Sequence, residues 1–253
     1  MKVGIVGAFE GAHLGASFAR AADKLDVEKI CFDTADALGG NRILRALRWR
    51  FCGRTPLYLE RFANRVVEQC REARPDILIA TGAAPLNRAA LGALRAIDVR
   101  TVNYSTDDPW NPGSRSRWHL QALPHYEIVF TTRRVNIGEL QQLGCADVRY
   151  LPFGYDEALV ASHAEIRDAR VCDVLFVGGA DDDRAAFMSG FAAAGAPIAV
   201  VGGYWDKYPA MRPYFLGHMP PALVGALTAA AKVNLCLVRH ANRDGHVMRS
   251  FEI

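Results

Sequence analysis

The stretch DVLFVGGADDDRAAF, residues 173–187, decides the fold. Four apolar residues, VLFV, are followed by two glycines, three aspartates and a run typical of a helix. Buried parallel strands have this form, because helices cover both faces of the sheet that they build. The stretch comes after a polar connector, SHAEIRDARVC, so the strand-loop-helix pattern starts afresh there. A restart of this kind predicts a second domain with its own sheet.

The same pattern fills the chain before the connector. Six short runs rich in Val and Ile precede Gly or polar residues: VGIVGA, KICFD, DILIATG, RTVNYST, EIVFTT and VRYLPFG. Helical periodicity fits between them, over residues 14–25, 58–73, 84–96 and 134–143. After the connector come two further strands, PIAVVGG and VNLCLV, and a helix over residues 220–231. We therefore predict an α/β protein of two Rossmann-like domains, residues 1–160 and 161–253.

Charge and cysteine patterns argue against several classes of protein. The formal net charge is only +3 over 253 residues, with Lys and Arg scattered, so nucleic acid is not an expected partner. The six cysteines form no C-x-x-C pair and no cluster at metal spacing, which is typical of small core residues in a reducing cytosol. No apolar run reaches the roughly 18 residues of a membrane span. The sequence thus predicts a cytoplasmic protein without a metal.

The first loop, GAFEGAHLG, follows a strand and opens a helix. Glycines at such a place allow a ligand to approach backbone N–H groups, and Asp33 ends the next strand as a ribose-binding acid would. The spacing is not G-x-G-x-x-G, however, so an NAD-type oxidoreductase is only a rival interpretation. Glycines of a tight turn, or of a loop that lines a cleft between domains, are favoured.

Two adjacent carboxylates, Asp107 and Asp108, follow the strand TVNYS within YSTDDPWNP. Ligands of open α/β sheets bind at the carboxyl ends of the strands, where such acids can orient hydroxyls or act as a base. A capped, solvated turn is an equal alternative, because Asp before Pro starts turns. Trp110 and Trp118 could stack on a sugar, although core packing is at least as well supported.

Glycine pairs also follow two strands of the second domain. Gly178 and Gly179 come before Arg184, and backbone donors beside a cation suit a diphosphate. The aspartates between them, residues 181–183, would repel phosphate, so we expect them to cap the helix or face solvent. Gly203, with Tyr204 behind it, could border a base pocket, although turn glycines beside core aromatics are favoured.

The last eleven residues, RDGHVMRSFEI, hold two acids with seven residues between them, Asp244 and Glu252. We expect a helix from Val247, with Met248 and Phe251 spaced to share one buried face. Both acids could then face a ligand across the start of that helix, with Arg249 available to phosphate. A solvated helix start is the plain alternative.

Taken together, these stretches resemble the spore-maturation-type (CgeB-like) glycosyltransferases, relatives of the large group-1 family with the GT-B fold. The resemblance runs through most of the chain. It lies in YSTDDPWNP, in the segment from EIVFTTRRVNIGEL to LGCADVRYLPFGYD, in DVLFVGG with Arg184, in VVGGYW and above all in DGHVMRSFEI.

The resemblance implies an acceptor site in the first domain and a nucleotide-diphosphate sugar in the second. It makes Glu252 the partner of the ribose hydroxyls, since a carboxylate accepts two hydrogen bonds from a diol. Asp244 matches the first acid of the family's paired-acid motif, with Asp in place of Glu. The residues expected to bind the donor nucleotide are Gly178, Gly179, Arg184, Gly203, Arg249 and Glu252.

We therefore predict a glycosyltransferase that moves a sugar from a nucleotide-diphosphate donor to an acceptor hydroxyl, in cell-surface polysaccharide synthesis and without a cofactor. The catalytic candidates are Asp107, Asp108 and Asp244. Family members continue past the Phe-Glu-Ile string, so we expect the second domain to be incomplete and the chain truncated. The alternative function is a degenerate nucleotide-binding module. Peripheral association with a membrane is left open.

Overall fold

The computed structural model describes residues 1–11, 13–160 and 172–251, which form two compact units. Unit 1 contains Met1–Pro152 and also Ala241–Gly245, a short segment that lies far along the chain. Unit 2 contains Phe153–His240 and the residues from His246 onward. The predicted domain division at residue 160 falls beside residues 161–171, which lie outside the described residues. The return of the segment Ala241–Gly245 to unit 1 is a feature that the sequence analysis did not predict.

Unit 1 is built on one parallel sheet of six strands in the order β2-β1-β3-β4-β5-β6. Its apolar runs are short and rich in Val and Ile, as strands covered on both faces require. Each of the six predicted strands is confirmed. The strands are β1 (Lys2–Gly7), β2 (Glu28–Asp33), β3 (Ile77–Thr81), β4 (Arg100–Ser105), β5 (Ile128–Thr131) and β6 (Val148–Tyr150).

Seven helices accompany this sheet. The four predicted helices are confirmed, the first ending at Lys24 and the third starting only at Arg88, after a loop. Three further helices were missed, two because they are short and one because it has no buried face. The helices are α1 (Leu14–Lys24), α2 (Ala35–Leu38), α3 (Arg42–Phe51), α4 (Leu59–Ala73), α5 (Arg88–Arg95), α6 (Arg117–Ala122) and α7 (Asn136–Leu143).

The core of unit 1 lies where α4 and α5 cover the sheet. Val66 of α4, Leu91 of α5 and Leu78 of β3 are fully buried in it. Cys70 belongs to the same cluster, and burial raises the pKa of its thiol to about 11. The expectation of core cysteines holds for Cys70, Cys145 and Cys172, but Cys31 and Cys52 are exposed.

The first loop packs helix α1 closely on strand β1. A Cβ on Gly7 would lie 2.9 Å from Gly15 Cα, and a Cβ on Gly15 would lie 2.5 Å from the carbonyl oxygen of Ala8. These two glycines are therefore required for contact between helix and strand. This packing accounts for Gly7 and Gly15 without a ligand.

Unit 2 has a parallel sheet of three described strands in the order β8-β7-β9. The predicted runs form β7 (Val174–Val177), β8 (Ile198–Val201) and β9 (Val233–Leu235). Phe215 of the apolar run YFLGHM joins Val200 by a single β-bridge. The helices are α8 (Glu157–Val160), α9 (Asp182–Ala193) and α10 (Pro221–Ala230), with 3-10 turns at Trp205–Lys207, Pro209–Tyr214 and Met248–Phe251. A further 3-10 turn, His240–Asn242, begins in unit 2 and ends in unit 1.

The end of the described chain differs from the prediction. In place of an α-helix from Val247, the structure has the 3-10 turn Met248–Phe251, none of whose residues is buried. The predicted shared buried face of Met248 and Phe251 is therefore wrong. Four residues form about one turn, which is too short to present a helical stripe.

Candidate functional site

Two glycine loops and one arginine meet at the carboxyl edge of the unit 2 sheet. Gly178 and Gly179 follow β7, and Gly202 and Gly203 follow β8. Arg239 lies four residues beyond the end of β9. Because the three strands are parallel, their carboxyl ends share one edge, where open α/β sheets bind their ligands.

The two glycine loops bind each other through the backbone. Gly178 N–H donates to Val201 O and Ala180 N–H donates to Gly203 O, both at 2.8 Å. Gly202 adopts φ 123°, and a Cβ there would lie 2.6 Å from Gly178 O. No other residue type fits such a position without strain. The glycines thus form a fixed shelf at the strand ends.

The shelf presents open backbone donors beside a cation. Among the described residues, none accepts a hydrogen bond from the N–H of Gly179 or Gly203. A Cβ on Gly179 would lie 3.1 Å from Arg239 Nη2, and one on Gly203 would lie 3.5 Å from His218 Cε1. The Arg239 side chain is 43% exposed and its Nε lies 3.5 Å from Asp181 Oδ2. Amide donors with a nearby guanidinium form a site suited to a phosphate group.

Arg184, the cation that the sequence analysis singled out, lies beneath this shelf. It is only 8% exposed, and its guanidinium stacks over the Phe176 ring at 5.3 Å. The guanidinium donates to the carbonyl oxygens of Gly179 and Leu237, which follow β7 and β9. Burial lowers the pKa of this arginine. These contacts give Arg184 a role in holding the two loops, and the exposed cation at the shelf is Arg239.

The aspartates after Gly179 act at the start of helix α9. Asp181 accepts a hydrogen bond from Arg184 N–H at 3.0 Å, so it is the N-cap. Asp182 accepts from the Tyr208 hydroxyl at 2.8 Å, and Asp183 is exposed. The expectation that these acids cap the helix or face solvent is confirmed. Their charge makes the helix start unfavourable for an anion, so the surface suited to a phosphate is limited to the shelf.

The two aromatic residues beyond Gly203 have different surroundings. Trp205 is fully buried and its indole N–H donates to Gly178 O at 2.8 Å. Tyr204 is exposed and adopts φ 70°, an uncommon conformation for a bulky residue. Lys207 Nζ lies 4.6 Å from the centre of the Tyr204 ring. The expectation of a core aromatic holds for Trp205 but not for Tyr204, which is exposed and has Lys207 over one face of its ring.

In unit 1, the acids after β4 bind the segment Ala241–Gly245. Asp108 is 1% exposed, and its carboxylate pairs with the guanidinium of Arg243. Arg243 also donates to both carboxylate oxygens of Glu139, at 2.7 and 2.6 Å. The hydrogen bonds with Glu139 first, and with Asp108 second, raise the pKa of Arg243, while Arg243 lowers the pKa of Glu139. Asp108 is thus buried in an ion pair.

Asp107 and Asp244 have partners in the same cluster. Asp107 is exposed and accepts from Asn242 Nδ2 at 3.2 Å. Asp244 accepts from Val135 N–H at 3.0 Å, at the start of helix α7, and its carbonyl accepts from Arg133. A carboxylate at a helix start is stabilised by the free N–H groups and the helix dipole. Catalytic roles for Asp107, Asp108 and Asp244 stay predictions.

The structure describes all but one of the remaining residues that the sequence analysis singled out. Trp110 packs against the core of unit 1, and Trp118 donates its indole N–H to Arg54 O at 3.0 Å. Arg249 is half-buried in the turn Met248–Phe251. Glu252, the predicted ribose-binding acid, lies outside the described residues.

Sequence reasoning missed Arg239, Asn242 and Arg243. The available signal was their position, since all three follow the last strand, VNLCLV, within ten residues of its end. Among the described residues, no group of three His, Cys, Asp or Glu side chains could hold a metal ion. The search of the same residues for a helix long and apolar enough to cross a membrane found none.

No family model and no curated protein matches the chain. Solved structures do match. HepE of Anabaena, in complex with UDP-glucose, is 16% identical with a TM-score of 0.56, covering 92% of this chain and 73% of that chain. An alpha-glucosyltransferase, in complex with UDP-glucose and DNA containing an abasic site, is 11% identical with a TM-score of 0.57, covering 92% and 71%. The UDP-GlcNAc 2-epimerase of Methanocaldococcus jannaschii is 8% identical with a TM-score of 0.51, covering 92% and 78%.

At these identities the likeness shows a shared fold and nothing finer. It confirms the predicted fold class, an α/β protein of two Rossmann-like parts of the GT-B kind. It does not single out the CgeB-like glycosyltransferases, so that finer resemblance stays a prediction.

Proposed function

We propose that this protein is a glycosyltransferase that uses a nucleotide-diphosphate sugar as its donor. The observation that carries the proposal is the shelf of unit 2, where the open N–H groups of Gly179 and Gly203 lie beside the exposed guanidinium of Arg239. A diphosphate requires such a surface, with close backbone donors and a cation.

The shelf can supply the main electrostatic requirement of sugar transfer. As the bond from the anomeric carbon to the diphosphate oxygen breaks, negative charge grows on the leaving diphosphate. Fixed amide donors and a guanidinium stabilise that charge without having to reorganise. The acceptor hydroxyl oxygen forms the new bond to the anomeric carbon, and its proton passes to a base. The catalytic candidates of the sequence analysis are Asp107, Asp108 and Asp244, and all three remain candidates.

Other residues are proposed to contact the nucleobase and the ribose of the nucleotide sugar. The exposed ring of Tyr204 offers a stacking face for a nucleobase next to the shelf. Glu252 remains the proposed partner of the ribose hydroxyls, on the strength of the sequence resemblance. We propose Arg184 as a positioning residue, because its guanidinium holds the carbonyls of Gly179 and Leu237.

The solved structures support the donor class and leave the reaction open. Two of them were determined with UDP-glucose, and a third is a UDP-GlcNAc 2-epimerase. One fold can therefore serve both transfer and epimerisation, so function has to be argued from the site. Synthesis of a cell-surface glycan, with the reaction taking place in the cytoplasm, is the setting that we propose.

A nucleotide-binding module without turnover is the second candidate. It is favoured by the contacts that the acids of unit 1 already make. Asp108 is buried against Arg243, and Asp244 holds the start of helix α7. If these contacts persist when a donor is bound, neither carboxylate can accept a proton from an acceptor.

A turnover assay separates the two candidates. The protein is incubated with UDP-glucose, UDP-GlcNAc or GDP-mannose, and the nucleoside diphosphate and sugar products are measured. Release of the nucleoside diphosphate supports transfer, because water replaces the missing acceptor slowly in many such sites. Interconversion of UDP-GlcNAc with its epimer, without net release of UDP, would instead assign an epimerase. Binding of a nucleotide without any product would assign the module.

The variant Glu252→Ala tests the ribose contact within this scheme. We expect nucleotide affinity to fall between a few-fold and ~100-fold, the worth of one or two hydrogen bonds to a charged group. Glu157→Ala, which removes another acid of unit 2 from helix α8, is the matched control and should leave affinity unchanged. Equal affinity in the Glu252 variant and the parent protein would remove Glu252 from the site.

A further inference from the structure

Helix α3 of unit 1 is a surface helix without a buried side. From Ile43 to Phe51 every residue is exposed except Arg48, which is half-buried. A helix of a globular protein ordinarily packs an apolar stripe against the core. Here the apolar residues are present, but nothing in the described part of the chain covers them.

Four of the five large exposed apolar residues of α3 lie on one face, and the fifth, Trp49, lies on the opposite side of the helix. Ile43, Leu47 and Phe51 are spaced by four residues, and Leu44 lies beside them, so the four span about 100° of the helix circumference. Ile43 is 70% exposed and Phe51 is 74% exposed. Scattered apolar residues are normal on a surface, whereas a continuous apolar face marks a binding surface.

The surroundings of this face carry a strong positive charge. Between Ala37 and Leu59 the sequence has five arginines and no Asp, Glu or Lys, although the whole chain has a net charge of only +3. Arg48 and Arg50 border the apolar face on its two sides. An open groove of about 840 Å³ lies beside α3, and its lining has four arginines and no acid: Arg50, Arg54, Arg115 and Arg117.

The helix is held in place despite its lack of core contacts. Asn41 caps it by accepting hydrogen bonds from the N–H groups of Ile43 and Leu44. Arg48 donates to Leu57 O at 3.0 Å. Arg54 lies over the Trp49 ring at 5.6 Å and donates to Pro112 O at 2.7 Å. The apolar face is therefore presented in a fixed orientation before any partner binds.

We propose that helix α3 binds the surface of a membrane rich in anionic phospholipids. The apolar face enters the boundary between headgroups and acyl chains, and the arginines around it contact the lipid phosphates, as basic amphipathic helices do. Two other occupants fit the observations less well. A nucleic acid would satisfy the arginines but offers no apolar partner to Ile43, Leu47 and Phe51, and a second copy would bring two arginine clusters together.

Flotation with lipid vesicles tests the proposal on the full chain. One set of vesicles contains phosphatidylcholine alone, and the other contains equal parts of phosphatidylcholine and phosphatidylglycerol. We expect the protein to float with the second set and not with the first, and high salt to weaken the binding.

Two variants test the two components of the surface. Arg50→Gln should weaken partitioning roughly fivefold, the contribution of one arginine near an anionic surface. Leu47→Ser with Phe51→Ser should weaken it at least about tenfold. The matched control, Arg61→Gln, makes the same charge change on helix α4 of the same unit and should bind as the parent protein does. All altered side chains are exposed, and circular dichroism checks that each variant is folded.

Several results would overturn the proposal. Equal binding to both kinds of vesicle would remove the anionic requirement, and equal loss in the α4 control would reduce the effect to net charge. If the parent protein ignores vesicles but sediments as a dimer that the Leu47 and Phe51 changes dissociate, the face pairs two copies. If it binds a duplex oligonucleotide and not vesicles, the arginines form a nucleic-acid-binding surface. None of these outcomes depends on the nucleotide site of unit 2.

Discussion

Arg184 and Arg239 both lie close to Gly179 and differ in what their guanidinium groups can do. Arg184 is buried and its donors reach two backbone carbonyls. Arg239 is 43% exposed, with an acid at 3.5 Å as its nearest charged partner. A buried guanidinium whose two Nη atoms bind backbone carbonyls stabilises the loops, whereas an exposed one is available to a ligand.

The variant Arg239→Gln tests this assignment at the level of one side chain. We expect affinity for a nucleoside diphosphate to fall ~10- to 100-fold, the worth of a charged hydrogen bond. Lys232→Gln is the matched control, because Lys232 pairs with Asp173 at the opposite edge of the same sheet. Titration calorimetry measures both. Equal losses in the two variants would show a general charge effect and would contradict a local role for Arg239.

A second prediction concerns the buried ion pair of unit 1. Arg243→Gln leaves Asp108 buried without its cation, so we expect the free energy of unfolding to fall by about 2 kcal/mol. The loss stays below that of a fully buried pair, because the Arg243 side chain is 38% exposed. Urea denaturation measures the change.

The double variant Asp108→Asn with Arg243→Gln is the informative comparison for that pair. It removes both charges, so part of the lost stability should return relative to Arg243→Gln alone. A double variant that is less stable by the full sum of the two single losses would contradict a direct pairing.

A third prediction follows from His119, a buried residue packed beside Trp118. Burial lowers its pKa from 6.5 to about 4. As pH falls from 6.5 to about 4, the unfolded chain binds a proton that the folded protein does not, so stability is lost across that window. The difference in pKa between the unfolded and folded chain corresponds to about 3 kcal/mol of unfolding free energy, lost by about pH 4. His119→Leu should lack this pH dependence and the exposed His125→Gln should keep it; the same dependence in both variants would exclude His119 as its source.

For individual residues, the sequence indicated where functional side chains lie better than which partners they contact. The acid pair after β4 was found from its place at a strand end, but its partner Arg243 is 135 residues away along the chain. No local pattern encodes a contact of that separation. The cap role of Asp181 was predicted correctly, because capping depends only on neighbouring residues.

The contact between the loops that follow β7 and β8 can be tested at Gly202. Gly202 joins two strand ends at φ 123°, and a Cβ there would strike Gly178 O. Gly202→Ala should therefore lower the free energy of unfolding by roughly 1–3 kcal/mol. Gly190→Ala is the control of opposite sign, since nothing lies within 4 Å of a Cβ in that exposed turn of helix α9. It should raise stability by about 0.5–1 kcal/mol.

Thermal and urea denaturation give both values. Because unit 1 does not contain either glycine, the change should appear in the unfolding of unit 2. If Gly202→Ala is as stable as the parent protein, the two glycine loops do not approach each other as closely as the structure shows.

Strands and long helices were the elements that sequence predicted best. Periods of apolar residues arise from burial, so β1 to β9 and helix α4 leave a clear pattern. Helix α3 left no such pattern toward the core, because its apolar face is exposed. The turn Met248–Phe251 was mistaken for a helix, since four residues of apolar spacing fit either form.

The division of the chain into two units was predicted only in part. The restart of the strand pattern at Asp173 correctly indicated a second parallel sheet. The return of Ala241–Gly245 to unit 1 was not foreseen, because it depends on tertiary contacts between distant parts of the chain. One consequence is that Asp244, a catalytic candidate that the sequence analysis placed in the second domain, lies in unit 1.

The central claim is that the glycine shelf and Arg239 bind the diphosphate of a nucleotide sugar. Titration calorimetry of the protein with UDP, GDP, dTDP and NAD tests it most directly. We expect at least one nucleoside diphosphate to bind, and to bind more tightly than NAD. If none of the three diphosphates binds, or if NAD binds more tightly than all of them, the donor site that we propose is contradicted.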